Sequence, residues 1–211
     1  METVASHPTE LTLEQGQWFR FNPKASLLIT SGMILSLFLS FKYSFYYLIL
    51  LGVMLVINKI YWWFIERRFQ KGDYNVGRVV STSPMLVAVP TDLRKGYAGL
   101  FPVIKVIEIK FDKLGDTQLS IGDKIGTCGL YTNSKDDIPF WLGFDPVPVF
   151  YGNSDFAKQQ KRAEASTTIE AWQDFEEQLN QLPKPFQRGL YKITTSTSSW
   201  HNYPEAQLKS S

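Results

Sequence analysis

The sequence predicts an α+β membrane protein: an N-terminal two-helix transmembrane hairpin, then a small, mostly antiparallel β-sheet or partly open barrel packed by one long C-terminal helix. Three observations carry this prediction. The stretch Ala25 to Ile65 is apolar apart from Lys42-Tyr43-Ser44 and Asn58-Lys59. Beyond Gly72, short runs of β-branched residues alternate with Gly-Asp and Pro punctuation. After Ser154, the residues Ile169, Trp172, Phe175, Leu179 and Leu182 recur at steps of three and four. The boundaries that follow are a polar N-terminal segment over 1–21, the hairpin over 22–71, a cytoplasmic α+β domain over 72–193 and a disordered tail over 194–211.

The hairpin opens at Asn22-Pro23, where Asn can cap free amides and Pro suits the first helical position. No charge occurs from Ala25 to Phe41, nor from Phe45 to Ile57, and Lys59 is able to snorkel toward headgroups. Trp18, Phe19 and Phe21 precede the first span and Tyr61, Trp62, Trp63 and Phe64 close the second, while Tyr43, Tyr46 and Tyr47 sit at the turn. That is the aromatic distribution of a bilayer with two interfaces. The interface residues expected are Trp18, Arg20, Lys24, Lys59, Trp62, Trp63, Arg67 and Arg68. Basic residues (Arg20, Lys24, Arg67, Arg68, Lys71) gather at the end carrying both termini, against Lys42 alone at the turn. The positive-inside bias then puts both termini in the cytoplasm of an integral membrane protein, in a bacterial inner membrane or a thylakoid. With Glu2, Glu10 and Glu14 ahead of it and no apolar core before it, the first span reads as an uncleaved anchor.

The formal charge of +2 averages two unlike parts, and the mixed-sign remainder gives no ground for a nucleic-acid partner. Cys128 stands alone, so an internal disulfide framework is excluded. Histidine occurs only as His7 and His201, in terminal segments, where neither is poised as a base or a metal ligand. Asp112, Asp116, Asp123, Asp136, Asp137 and Asp145 read as turn residues that hydrogen-bond locally. No cofactor, no metal and no enzymatic activity are expected.

Within the domain, strands are predicted at Val76–Ser81, Met85–Val89, Val103–Phe111 and Lys124–Tyr131, with hairpin turns at Gly115-Asp116 and Gly122-Asp123. Pro148–Gly152 reads as a last edge strand, Ser154 as the cap of a helix that Pro183 stops, and Gly189–Ile193 as a run that rejoins the sheet. Pro139 and Pro146 exclude a regular central strand through the aromatic segment between them. Phe140, Trp141, Leu142 and Phe144 are therefore the partner-binding candidates; the bland alternative is that they pack under the long helix against Trp172 and Phe175.

The succession VGRVVSTSPMLVAVPTDL, IKVIEI, GDKIGTCGLY, DPVPVFYGNSD and EQLNQLPKPFQRGLY resembles a bacterial family of uncharacterised proteins with two N-terminal spans and a small α+β domain. More loosely, the strand–Gly-Asp–strand order resembles a small barrel carried by membrane proteins that accompany proteases. The resemblance implies no activity. The function expected is a non-catalytic, membrane-anchored scaffold, assembly factor or accessory subunit, with the bilayer and a membrane protein or complex as partners. The alternative is a membrane-associated enzyme or a lipid- or small-ligand-binding module.

Overall fold

The structure is a computed structural model and describes residues 8–96, 99–111, 113–114, 117–132, 137–166 and 168–193. The expected tail over 194–211, both histidines, Asp112, the Gly115-Asp116 turn and Asp136 lie outside them. The elements run α1 (Gln15–Phe21), α2 (Pro23–Lys42), α3 (Tyr47–Lys71), β1 (Asp73–Thr82), β2 (Met85–Asp92), β3 (Pro102–Glu108), β4 (Lys113–Leu114), β5 (Thr117–Gln118), β6 (Lys124–Thr132), β7 (Gly143–Pro148), α4 (Phe156–Ala165), α5 (Ile169–Asn180) and β8 (Gly189–Lys192).

Helices α2 and α3 form the hairpin. At 1.5 Å rise per residue they measure about 30 and 37 Å, enough to cross a hydrocarbon core. They meet where α2 is small: a Cβ on Gly32 would stand 2.5 Å from the Met54 methyl, and Ser26, Ile29 and Ser36 are the buried residues of that helix. Ser36 returns its hydroxyl to the Gly32 carbonyl at 2.7 Å, so that donor is satisfied within the helix. The remaining surface is apolar and bare, with Leu28, Phe45 and Tyr46 more than 70% exposed. A water-soluble helix pair does not leave such a surface uncovered. The hairpin anchors the protein in a membrane.

The six-stranded sheet has the order β7-β6-β1-β2-β3-β8 and is antiparallel throughout. Its curl comes from β1, which pairs with β6 over Asp73–Arg78 and with β2 over Arg78–Thr82. A register shift between Val79 and Ser81 bends the strand in between. Edge strand β7 thereby swings toward β3, and the two line one groove, making a half-barrel. Pro146 and Pro148 are accommodated in β7 because an edge strand need not donate on its free side.

Alternation along β2 sorts two cores. Met85, Val87 and Val89 face the concave side with Phe69, Val79, Phe101, Phe140, Phe144 and Phe150; Leu86 and Ala88 face the convex side with Ile104, Val106 and, from α5, Phe175 and Leu179. The expected turn at Gly122-Asp123 is present: Gly122 has φ +105°, which a side chain rarely adopts, and Asp123 accepts from the Ser120 amide at 2.7 Å.

Several expectations are corrected. The C-terminal helix is two helices, α4 and α5, with Thr168 capping the second by accepting from the Ala171 amide at 3.2 Å. Ile169, placed on the buried face by its spacing, is 74% exposed because the helix restarts there. Asp155 caps α4 rather than Ser154, whose hydroxyl donates to Glu14 at 2.7 Å. Val149–Tyr151 is a 3-10 turn, not an edge strand. All three of its side chains are buried, and an alternating strand would have turned one of them outward.

Candidate functional site

The segment proposed from sequence as the binding surface is held by an unexpected partner. Phe140 bridges Arg94, Trp141 donates its amide to the Leu93 carbonyl at 2.7 Å, and Lys95 donates its amide to Pro139 and its ammonium to Ile138, both at 2.9 Å. The stretch after β2, not α5, therefore covers it. Phe140 stacks on Phe101 at 4.2 Å and is 3% exposed; Phe144 is 2% exposed and tilts against Tyr131. A Cβ on Gly129 would stand 2.1 Å from the Phe144 ring, so that ring occupies the space a side chain would fill. Phe140 and Phe144 are core residues, which corrects their assignment as contacts. Trp141 and Leu142 stay half-buried at the rim, with the Lys95 ammonium 5.3 Å from the Trp141 ring centre.

The expected membrane-interface residues also divide. Arg20, Lys24, Lys59 and Trp63 are exposed, and the Arg67 guanidinium lies 5.0 Å over the Trp63 ring. Trp18, by contrast, is 7% exposed inside the concave core, edge-on to Phe69 at 5.8 Å, and donates its indole N–H to the Tyr61 hydroxyl at 2.8 Å. Ser26 reaches the same hydroxyl at 3.4 Å, so one tyrosine ties α1, α2 and α3 together. Trp62 is half-buried against that core. Arg68 leaves the interface for an ion pair with Asp145 of β7 at 2.6 Å.

Residues 8–14, read from sequence as part of the polar N-terminal segment, form a strap. The Thr9, Glu10 and Leu11 amides donate to Gly72, Gln70 and Phe69 at 2.9, 3.1 and 3.1 Å, continuing from the end of α3. Arg162 of α4 donates to the Pro8 carbonyl at 3.1 Å and to the Thr9 carbonyl, and lies over the Tyr74 ring. Beneath the strap, Cys128 is fully buried and donates its thiol to the Arg68 carbonyl at 2.8 Å. Burial pushes that thiol up to about 11, so it is protonated and inert at neutral pH.

A cleft of about 510 Å³ opens beside α1, lined by Gln17, Arg20, Phe21, Lys110, Phe111, Lys113, Phe150 and Phe156. Its floor is aromatic: Phe111 stands edge-on to Phe150 at 3.7 Å, and Phe21 stacks on Tyr151 at 4.7 Å. Gln17 donates to the Phe150 carbonyl at 3.0 Å, and the Lys110 ammonium to the Phe21 carbonyl at 3.0 Å, which hold α1 against the turn. Arg20, Lys110 and Lys113 supply positive charge, and no carboxylate is among the described residues that line it. Sequence reasoning missed this site because its cations come from stretches some 89 positions apart, as the Lys110–Phe21 hydrogen bond shows.

Elsewhere, Tyr131 donates to the Asp73 carboxylate at 2.7 Å and meets Thr91 at 2.8 Å; burial first, then Asp73, raises this phenol well above the usual range. A phenol so raised is a structural donor at neutral pH, not a base. Among the described residues no group of three or more His, Cys, Asp or Glu could hold a metal ion.

No family model matches this chain, and no curated protein matches it. One solved structure that it is similar to is described as "a putative membrane protein from Corynebacterium diphtheriae". The match has 16% identity, 57% of this chain and 100% of that one, with a TM-score of 0.47. A likeness at that level carries no argument about what this chain does.

Proposed function

We propose that the protein is a non-catalytic, membrane-anchored module, a scaffold, assembly factor or accessory subunit, whose half-barrel binds a protein partner at the cytoplasmic face. The observation that carries this reading is the way the domain is fastened to its anchor. Trp18, Tyr61 and Phe69 put α1 and α3 into the core of the sheet domain, and the strap 8–14 hydrogen-bonds along the end of α3. A domain hung on a loose linker explores all orientations; one packed onto its own spans presents the same surface at the same height. The basic flanks Arg20, Lys24, Arg67 and Lys71, against Lys42 at the turn, support a cytoplasmic location for both termini. The partner surface is the rim around Trp141 and Leu142, where a large aromatic is braced by Lys95 and half open to solvent.

The test is co-purification from gently solubilised membranes, comparing wild type with Trp141→Ala. The variant is expected to stay folded and membrane-inserted, less stable by about 1–2 kcal/mol from the lost partial burial and cation–π contact, while losing a partner that wild type retains in fixed ratio. An intact variant that keeps every partner would remove this rim from the account.

A further inference from the structure

We propose that the cleft between α1 and the 3-10 turn is a binding site for the phosphate headgroup of an anionic phospholipid, held at the point where the chain enters the bilayer. The proposal rests on composition, shape and position together. Arg20, Lys110 and Lys113 bring three cations to one opening, without a carboxylate among the described lining residues. A phosphodiester is an anion of matching sign, and guanidinium and ammonium groups are its usual donors. The floor, formed by Phe21, Phe111, Phe150 and Phe156, is apolar and suits the glycerol and first methylenes of a lipid better than a free, fully hydrated anion. The cleft, at about 510 Å³, is of the size of small-ligand sites.

Position selects the lipid over other phosphates. Asn22 alone separates Phe21, in the cleft wall, from Pro23, the first residue of the spanning helix α2. Lys24 is exposed one residue further on, and the apolar run starts at Ala25. The cleft therefore stands within about one helical turn of the headgroup layer. Its walls are braced by the protein's own bonds: Gln17 and Lys110 hold α1 by hydrogen bonds to the Phe150 and Phe21 carbonyls. Little ordering remains to oppose binding. The site shares only Arg20 with the basic flanks that set topology; Lys110 and Lys113 belong to the sheet domain and contribute nothing to the flanks of either span.

The experiment uses the full chain in a neutral detergent, with phosphatidylglycerol and phosphatidylcholine titrated separately and bound lipid counted by native mass spectrometry. Wild type should hold one phosphatidylglycerol in preference to phosphatidylcholine. Each basic residue near anionic lipid is worth roughly fivefold in affinity, so Lys110→Gln/Lys113→Gln should lower the preference by about 25-fold. Lys158→Gln/Lys161→Gln on exposed α4 serves as the charge-matched control and should leave the preference unchanged. Equal binding of the two lipids overturns the proposal, as does an equal loss in both double variants, which would report net charge alone. Inorganic phosphate at millimolar concentration should fail to displace the lipid; displacement would assign the cleft to a soluble phosphate instead. A lipid result in either direction leaves the Trp141 partner test independent, since the two surfaces share no residue.

Discussion

At the scale of single residues, the chain is most sensitive where a side chain joins the anchor to the sheet. Phe69 is fully buried, edge-on to Trp18, and packed so closely by Gly152 that a Cβ there would lie 2.6 Å from its ring. Phe69→Ala should cost roughly 3–5 kcal/mol, read from the melting of the full chain in detergent. Trp172 is a contrasting case. Its helical spacing with Phe175 and Leu179 suggests a core residue, yet it is only half-buried, with the Lys124 ammonium 4.3 Å from its ring centre. Trp172→Ala should cost about 1–2 kcal/mol, the size of partial burial plus one cation–π contact. Spacing identifies a helix face; it does not say how far the sheet beneath that face extends. Cys128 supplies a pH signature. Its folded-state value, raised by burial from 9.0 to about 11, means that its stabilisation is complete below pH 9 and is lost as pH rises toward 11. Unfolding free energy should fall across that window by up to about 2–3 kcal/mol, and Cys128→Ala should flatten the slope between pH 9 and 10. A slope unchanged in the variant would assign the effect to other groups.

At the scale of elements, both spans and most strands are legible because their signals are local: absence of charge over a bilayer's thickness, and period-two alternation ended by Gly-Asp. Even beyond β3, Ile109 is buried while Glu108 and Lys110 are exposed, as the alternation implies. The break between α4 and α5 is not legible. The residues α4 buries are Gln159 and Ala163, a polar and a small side chain that give no apolar stripe to interrupt. Nor is the strap. Leu11 and Leu13 are too short an apolar pattern to announce it, and its main-chain amides pair with Phe69, Gln70 and Gly72 only after α3 has presented their carbonyls. Arg162 secures it from α4, beside the Thr9 hydroxyl that donates to the Gly72 carbonyl at 2.7 Å. Arg162→Ala should destabilise the strap by about 1–3 kcal/mol, as expected for a charged donor removed from two carbonyls. Hydrogen exchange at Thr9, Glu10 and Leu11 would register it as a selective loss of protection, with the β2 and β3 amides unchanged.

At the scale of the whole molecule, a tryptophan ahead of a span looks the same in sequence whether it lies among headgroups or, like Trp18, inside the protein's own core. Only the folded arrangement separates the two, and it changes what the anchor does. The hairpin and half-barrel become one body instead of two parts on a linker. The direct measurement is a spin-label distance in lipid nanodiscs between labels at Ser44→Cys in the hairpin turn and Lys161→Cys on α4, with native Cys128 left in place because it is fully buried. One narrow distance distribution is predicted. A broad distribution would show that the domain moves freely on its anchor, and would contradict the account of a surface held at fixed height above the membrane.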